Sequence, residues 1–367
     1  MKIIQILPEL NAGGVERGTL EIAAHLVANG HESIVISNGG RLVEELEKEG
    51  SRHITMPVHR KAVASLGQIS KLRRLFIEEK PDIIHLRSRM PAWLAYLAWK
   101  SLDERTRPRL VTTVHGFYSV NPYSAIMTKG EVVIAVSESV RNYILENYPK
   151  TSDSKIRVIP RGIEPDRYHP RFELSAAWLD PWQAALPNLA GKCVLLLPGR
   201  ITRLKGHDDF FTLIAALKKE GIPVHGLVAG DTHEKKHAYM DELRATVARL
   251  GIEEDLTFLG HRSDIREVMC VSHIIFALSQ QPESFGRTVL EALALGKPVC
   301  GYDCGGVGEL LAALFPQGRV SLGNTAELLD VTRTIILHRE SPAEVGRPFT
   351  LDAMCEATLG VYNGLVG

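Results

Sequence analysis

Several features are missing from this sequence, and each absence excludes a class of protein. No apolar run reaches the roughly 18 residues that a membrane-spanning helix needs. The five cysteines among 367 residues are scattered, without a CxxC pair or the spacing of a disulfide framework, and are expected to be reduced core residues. The formal net charge is +0, from 43 basic and 43 acidic residues, which argues against nucleic acid as the main partner.

Length and composition indicate a globular chain of two domains. The chain has 367 residues, of which 45% are hydrophobic and 23% charged, so each half is long enough to bury its own core. The apolar start resembles a signal sequence only briefly, because Pro8 and Glu9 end the run and no small-residue cleavage site follows. We expect a first β-strand in a cytoplasmic protein.

Short β-branched segments alternate with helical patterns, which is typical of parallel sheets covered by helices. The predicted strands lie at 2–8, 33–37, 82–86, 109–114, 132–136 and 156–159, and then at 193–197, 224–229, 256–259, 274–278 and 298–302. The predicted helices lie at 14–29, 207–220, 234–250, 264–271 and 286–295. This order predicts an α/β chain of two Rossmann-like, doubly wound domains whose strand carboxyl ends face each other across a cleft.

A proline-rich stretch separates the two series of strands. Pro160, Pro165, Pro170, Pro181 and Pro187 punctuate it, so it cannot be one regular element. We place the domain boundary here, with domains at 1–168 and 169–349.

Basic residues concentrate in one segment of the first domain. Residues 51–110 carry 13 basic and 5 acidic residues, a net charge of +8. Leu66, Ile69, Leu72 and Phe76 fall at helical spacing and predict a buried stripe. The cations outside it form either a solvated helix face or a surface attracted to anionic lipid; they are Arg60, Lys61, Lys71, Arg73 and Arg74.

In each domain a glycine-containing loop follows the first strand. Gly13 and Gly14 lead into a helix whose free N–H groups favour an anion, although a tight turn would also explain the pair. The glycines are adjacent rather than spaced as G-x-G-x-x-G, which argues against a nicotinamide cofactor. In the second domain Arg200 and Lys205 lie on the strand-to-helix loop, where they either hold a diphosphate or decorate the surface.

Glu283 and Glu291 form the most specific pattern, with seven residues between them. Glu283 precedes a predicted helix and Glu291 is expected about two turns inside it, too far apart to share one proton. Each can accept hydrogen bonds from hydroxyls of one extended ligand. Another glycine-rich loop, Gly305-Gly306-Val307-Gly308, follows the next strand and is expected at the same sheet edge.

One further motif suggests a metal but is expected not to bind one. His233-Glu234-Lys235-Lys236-His237 matches HExxH, which can hold zinc on one helix face. The segment is lysine-rich, whereas a zinc-protease helix is mostly buried. We therefore interpret it as a solvated helix start and predict no metal site.

Together these motifs resemble the family 4 retaining glycosyltransferases of the GT-B fold. The stretch 85–93, which includes His85, Arg87 and Arg89, further resembles bacterial members that build lipopolysaccharide core or other cell-surface glycans. The resemblance extends over nearly the whole chain, through Gly13-Gly14, Thr113-Val114-His115-Gly116, Ala135-Val136-Ser137-Glu138, the segment 158–164, Gly199-Arg200, Lys205-Gly206, Glu283 and Glu291.

The resemblance implies a role for each candidate residue. Arg200 and Lys205 would hold the donor's diphosphate, Glu291 the ribose and Glu283 the sugar, while His115 would lie beside the sugar on the first domain. These roles make Lys205, Arg200, Glu283 and His115 the catalytic candidates. The nucleotide-sugar contacts would be completed by Gly14, His261, Phe285 and Gly286.

The resemblance also implies where the chain departs from the family and how it ends. Arg161 stands where Asn is usual, and Ser284 where Gly is usual. Residues 350–367 resemble the family's last helix, which crosses back onto the first domain. The first domain is then the acceptor side, and residues 169–349 bind the nucleotide sugar.

The activity implied is transfer of a sugar, with retention, from a UDP- or GDP-linked donor to a hydroxyl of a lipopolysaccharide-core or other surface glycan, lipid-linked or free. No cofactor or metal is expected, because Arg200, Lys205 and the Gly14 helix start can stabilise the leaving diphosphate. A nucleotide-sugar epimerase of the same fold and a non-catalytic two-lobed sugar-binding protein are the alternatives. The expected location is cytoplasmic, including the inner face of the cytoplasmic membrane.

Overall fold

A computed structural model describes residues 1–11, 13–60, 63–231 and 237–367. The chain divides into two compact units: residues 1–162 with 348–367, and residues 163–347. We call these unit 1 and unit 2. The division falls before the boundary that we place at 168, and the last helix belongs to unit 1.

The strands of unit 1 form one parallel sheet in the order β3-β2-β1-β4-β5-β6-β7. The strand Lys2–Ile6 (β1), which has a neighbour on each side, has Ile3, Ile4 and Ile6 fully buried, as expected where helices cover a parallel sheet on both sides. The strands are Lys2–Ile6 (β1), Glu32–Ser37 (β2), Arg52–Thr55 (β3), Ile83–Leu86 (β4), Arg109–Val114 (β5), Val132–Ala135 (β6) and Ile156–Val158 (β7).

The sheet of unit 2 is also parallel, in the order β10-β9-β8-β11-β12-β13. Together the two sheets confirm the predicted fold class of two Rossmann-like domains. The strands are Cys193–Pro198 (β8), Val224–Ala229 (β9), Leu256–Gly260 (β10), Ile274–Ala277 (β11), Val299–Tyr302 (β12) and Arg319–Val320 (β13).

Helices connect successive strands in both units. Those of unit 1 before the boundary are Gly14–Ala28 (α1), Val43–Lys48 (α2), Gly67–Glu79 (α3), Arg89–Lys100 (α4) and Glu138–Asn147 (α5). Those of unit 2 are Ala176–Ala185 (α6), His207–Lys219 (α7), His237–Leu250 (α8), Ile265–Val271 (α9), Arg287–Ala294 (α10), Gly305–Leu314 (α11) and Thr325–His338 (α12). The chain ends with Leu351–Val366 (α13). Among the residues described, no helix has the length and apolar character needed to cross a membrane.

The last helix packs into the core of unit 1, although the whole of unit 2 separates it in the chain from the rest of that unit. Met354, Cys355 and Tyr362 of α13 are buried with Ile3 and Ile83 of the sheet. The Tyr362 hydroxyl lies 2.6 Å from Nδ1 of His85, and Thr113 Oγ1 lies 2.6 Å from Nε2 of the same ring. A buried polar ring is therefore satisfied on both nitrogens, once by the sheet and once by α13.

Some predictions of local structure are wrong. Strands β3 and β13 were not predicted, because one is polar and half exposed and the other spans two residues. The proline-rich stretch contains α6, with Pro181 inside it, where the proline removes one backbone donor. Leu66, predicted to be buried, is 56% exposed, whereas Leu72 and Phe76 are buried as predicted.

We predict that Tyr362→Phe destabilises unit 1 by roughly 1–3 kcal/mol, because the change leaves Nδ1 of a buried histidine without its partner. Urea denaturation followed by circular dichroism measures the loss. Tyr96→Phe is the matched control, because Tyr96 is half-buried and makes no side-chain hydrogen bond among the described residues. Equal stability of the two variants would mean that the His85 contact contributes nothing.

Candidate functional site

The carboxyl edge of the unit 2 sheet is the natural place for a ligand. Strand β8 lies between β9 and β11, so the loops after β8 and β11 leave in opposite directions and open a crevice between them. Ligands of doubly wound sheets bind at such a reversal. Both loops carry predicted site residues.

The loop after β8 is held against its neighbours through glycine backbone. A Cβ on Gly230 would lie 1.8 Å from the carbonyl oxygen of Gly199, and one on Gly206 would lie 2.2 Å from the carbonyl oxygen of Leu278. Gly206 has a φ of 70° and lies between Lys205 and the start of α7. Only glycine permits this approach, which brings Lys205 towards the loop that follows β11.

Lys205 and Glu283 meet at this edge. The Lys205 Nζ donates to Glu283 Oε1 at 2.5 Å, and the two side chains are 28% and 31% exposed. Ser279 Oγ donates to the same oxygen. Burial alone would raise the pKa of Glu283, but Lys205, Ser279 and the charge of Arg200 outweigh it and hold that pKa below its usual value. Glu283 is therefore an ionised acceptor at neutral pH.

Arg200 is the exposed cation of the site. It follows β8 directly, and its charge acts on Glu283. Within the described ranges it makes no ion pair at 4.0 Å or less. Its guanidinium can therefore bind an anionic ligand without first breaking such a pair.

The loop carrying Glu283 rests on the start of α11. Glu283 forms an isolated parallel bridge with Gly305, and the Gly306 amide donates to the Glu283 carbonyl at 2.8 Å. Phe285 is 6% exposed, and a Cβ on Gly306 would lie 2.4 Å from its Cα. Gly286, with a φ of 93°, is the residue immediately before α10. Phe285 and Gly286 thus shape the loop.

Glu291 lies farther along α10 and has its own cation. Arg287 Nε is 3.4 Å from Glu291 Oε1. Because α10 begins at Arg287, Glu291 is about one turn inside the helix, and the prediction of two turns is wrong. Burial, together with the nearby Glu291 charge, raises the pKa of Tyr168 to about 12. The two glutamates are separate sites, each paired with a different cation.

His261 lies at the same edge, immediately after β10, and its side chain is exposed. The carbonyl of Gly260 accepts from the Gly230 amide at 2.9 Å, which ties the end of β10 to the end of β9. The next residue, Arg262, pairs with Asp264 at 2.8 and 2.5 Å and is therefore not available as Arg200 is.

Unit 1 carries the two remaining candidates. Gly14 begins α1, after Gly13 with a φ of 138°, and among the described residues no atom outside its own helix backbone and chain neighbours lies within 4 Å of the position that a Cβ would take. His115 follows β5, and its Nδ1 is in short contact with Nη2 of Arg161. Its Nε2 is buried without a hydrogen-bond partner among the described residues.

Sequence reasoning missed several residues of the site. Ser279 donates to Glu283, Arg287 pairs with Glu291, and the charge of Glu291 acts on Tyr168, but none of the three was predicted as a site residue. Arg287 has a detectable pattern, because it precedes Glu291 by one helical turn. For Tyr168 the sequence offers no such spacing.

Neither a metal-binding cluster nor the apolar groove of unit 2 coincides with the predicted site residues among the described parts of the chain. The HExxH motif lies outside the described residues, apart from the backbone of its last histidine. Across the described part of the chain, no group of three or more His, Cys, Asp or Glu side chains could hold a metal ion. A groove of about 1210 Å³ lies at the opposite, amino-terminal edge of the unit 2 sheet; its lining is mainly apolar and includes none of the predicted site residues.

Comparison with known proteins defines the class. Residues 12–167 match the family described as Glycosyltransferase Family 4, and residues 181–345 match Glycosyl transferases group 1. A glycosyltransferase from Rickettsia africae is 30% identical, with a TM-score of 0.84 covering 100% of this chain and 98% of that one. The chain belongs to the family 4 glycosyltransferases of the GT-B fold.

Other similar proteins differ in what they are named for. N-acetyl-alpha-D-glucosaminyl L-malate synthase of Bacillus anthracis is 27% identical over 94% of this chain and 89% of its own length. A lipopolysaccharide core biosynthesis mannosyltransferase of Rhizobium leguminosarum is 26% identical over 66% of this chain and 67% of its own. Anabaena HepE, solved with UDP and glucose, is 21% identical with a TM-score of 0.80, covering 99% of both chains.

We predict that Lys205 and Glu283 stabilise unit 2 as a pair. In a double-mutant cycle of Lys205→Met and Glu283→Gln, the coupling in unfolding free energy is expected to be roughly 0.5–3 kcal/mol at pH 7. Because the pKa of Glu283 is lowered from its usual 4.5, its stabilisation is present above pH 4.5 and is lost as pH falls through the folded pKa.

In Lys205→Met only Ser279 and Arg200 remain to oppose the rise that burial causes in the pKa of Glu283. The stabilisation by Glu283 is therefore expected to be lost at a higher pH than in the wild type. Lys192→Met is the control, because Lys192 pairs with Asp255 at 2.9 Å and does not contact Glu283. If the coupling in unfolding free energy between Glu283→Gln and Lys205→Met equals that between Glu283→Gln and Lys192→Met, the Lys205–Glu283 pair does not stabilise unit 2.

Proposed function

We propose that this glycosyltransferase moves a sugar from a nucleoside diphosphate to a hydroxyl of a cell-surface glycan, with retention of configuration. The observation that carries the proposal is the meeting of Lys205 with Glu283 at the carboxyl edge of unit 2. A cation and a carboxylate side by side suit a ligand that carries phosphate next to a hydroxyl-rich ring.

The donor half of the site follows from charge. Arg200 and Lys205 supply two cations for the diphosphate, Glu283 accepts hydroxyls of the sugar, and Glu291 accepts hydroxyls of the ribose. Stabilisation by two fixed cations needs no metal. HepE, solved with UDP and glucose, supports a UDP-linked donor over a GDP-linked one.

The proposed transfer of the sugar is direct and forms no covalent bond to the protein. The bond from the anomeric carbon to the diphosphate breaks, and its electron pair leaves on the phosphate oxygen. The acceptor oxygen forms the new bond on the same face, which retains the configuration. The acceptor's proton passes to the departing phosphate oxygen.

The acceptor is a lipopolysaccharide-core or related glycan. The similarity to the Rhizobium leguminosarum mannosyltransferase and the 85–93 stretch support this class. The malate acceptor named for the Bacillus anthracis relative is a small dicarboxylate, so the two can be tested against each other as acceptors.

We predict that three substitutions separate the functions of the donor site. Glu291→Ala is expected to weaken binding of free nucleoside diphosphate, because ribose contacts are alike in ground and transition states. Glu283→Ala is expected to weaken binding of the nucleotide sugar only. Lys205→Ala is expected to lower kcat by roughly 100- to 1,000-fold, since it faces charge that grows as the sugar leaves.

Calorimetry with UDP and UDP-sugars measures binding, and the rate of product formation at saturating substrate measures kcat. Matched controls are Glu220→Ala and Lys192→Ala, whose partners are Arg333 and Asp255. If the Glu291 and Glu283 variants bind UDP and turn over like the controls, these carboxylates are not donor contacts and the proposed donor site is wrong.

We also propose that α3 and the segment just before it present a basic surface to anionic membrane, where lipid-linked acceptors lie. Arg60, Lys71, Arg73 and Arg74 are exposed, while Lys61 lies outside the described residues. Beside them Leu66 and Ile77 are 56% and 47% exposed. Exposed apolar side chains among cations are typical of a helix that lies on a lipid surface.

We predict that the protein sediments with anionic vesicles in low salt. Release is expected as the Debye length falls from about 10 Å at 0.1 M salt to about 3 Å at 1 M. Replacing the five cations (Arg60, Lys61, Lys71, Arg73, Arg74) by Gln is expected to abolish binding. Replacing five exposed lysines elsewhere in unit 1 is the charge-matched control: Lys48, Lys100, Lys129, Lys150 and Lys155. Equal loss in both variants, or equal binding to neutral vesicles, would contradict a dedicated surface.

A further inference from the structure

The environment of His115 fixes where its proton lies. His115 follows β5 and Arg161 follows β7, at the same edge of the unit 1 sheet. Nη2 of Arg161 contacts Nδ1 of the imidazole, and the Arg161 side chain is itself only 9% exposed. A guanidinium has donors and no acceptor. Nδ1 must therefore present its lone pair, and the single proton of the neutral ring lies on Nε2.

The second nitrogen of the ring is free to donate. Nε2 is buried and has no partner among the described residues. The main-chain amide of His115 donates to the Tyr118 hydroxyl at 3.3 Å, which holds the backbone but leaves the ring nitrogen unused. A buried donor without a partner is costly unless a ligand atom completes it.

The charged groups around the ring keep it neutral. Arg161, Arg87 and His85 face it from the segments after β7, after β4 and within β4. Burial and these neighbours hold the pKa of His115 well below its usual range. A protonated ring would also turn a second N–H towards the guanidinium.

We propose that Arg161 positions His115 as a neutral hydrogen-bond donor, through Nε2–H, to an oxygen of the saccharide that the reaction handles. The nature of the ligand rests on the proposed function, whereas the tautomer does not. His115 then cannot act as the base that removes the acceptor's proton, because its only lone pair faces Arg161. The proton must go to another group, for which the departing phosphate oxygen is available.

The tautomer can be measured without any substrate. Long-range ¹H–¹⁵N spectra of histidine-labelled protein are expected to show His115, assigned among 14 histidines by its loss in His115→Gln, as the Nε2–H form from pH 5 to 8. In Arg161→Met both tautomers are expected. In Arg161→Lys, which keeps a donor and a charge, the Nε2–H form is expected to return. Arg157→Met, an exposed arginine on β7, is the control and is expected to match wild type. An Nδ1–H tautomer or an imidazolium in the wild type at pH 7 would overturn the proposal.

Activity then distinguishes a donor from a base. In Arg161→Met, kcat/KM is expected to fall about 2- to 10-fold at pH 8. It should partly recover on acidification, because a protonated ring carries a proton on Nε2 whatever its tautomer was. A base would lose activity over the same range. His115→Gln, whose amide can donate, is expected to retain more activity than His115→Leu. Equal inactivity of these two variants, or a loss on acidification in Arg161→Met, would contradict the donor role.

Failure of this inference differs from failure of the proposed function. If no nucleotide sugar is turned over but the spectra show the Nε2–H form and its dependence on Arg161, then Arg161 positions His115 as proposed, and the saccharide is the wrong ligand. If sugar transfer occurs but the spectra show the Nδ1–H form, the proposed function is supported and the proposed role of Arg161 is wrong.

Discussion

The direction of the strands is the constraint on which the rest of each unit depends. Because all paired strands in both sheets run parallel, every strand ends at the same edge, and each loop after a strand begins there. Lys205 and Glu283 are 78 residues apart in the chain, yet their side chains touch because β8 and β11 are neighbours in the sheet. Gly206 and Gly230 then decide how closely the loops approach. A side chain at either position would push the Lys205 loop away from its neighbours.

The sequence was sufficient for the features that local chemistry decides. The strands β1, β2 and β8 are short, mostly apolar and largely buried, so they could be located within one or two residues. Lys205 and Glu283 could be named because glycines and strand ends mark their loops. Strand β3 could not be predicted, since Arg52 and His53 make it polar and an edge strand has only one neighbour to pair with. Leu66 was misassigned because helical spacing identifies a stripe but not where the helix begins.

The parts of the site that could not be predicted depend on tertiary contacts. Ser279 donates to Glu283 from four residues earlier, across a loop whose path no pattern specifies. Arg161 was recognisable only as a departure from the Asn usual in the family. Its effect on His115 depends on which way its guanidinium points, and that is set by β7, by Gly18 of α1 and by Met354 of α13. Asn could donate or accept at this place, whereas Arg can only donate, so the departure selects one tautomer.

The arginines Arg200 and Arg87, each of which follows a strand of its sheet, differ in exposure. Unit 2 leaves Arg200 exposed at its sheet edge, and Lys205 is balanced by Glu283. Unit 1 buries Arg87 to 1% exposure, with Gln5 as the neutral acceptor of Nη1 and Nε left without a partner among the described residues. Burial lowers the pKa of Arg87, although the charges of Glu21 and Glu16 act in the opposite direction. An exposed cation can bind a phosphate, whereas a buried cation acts on the side chains around it. Here the charge of Arg87 helps to hold the pKa of His115 well below its usual range, so that the histidine stays neutral.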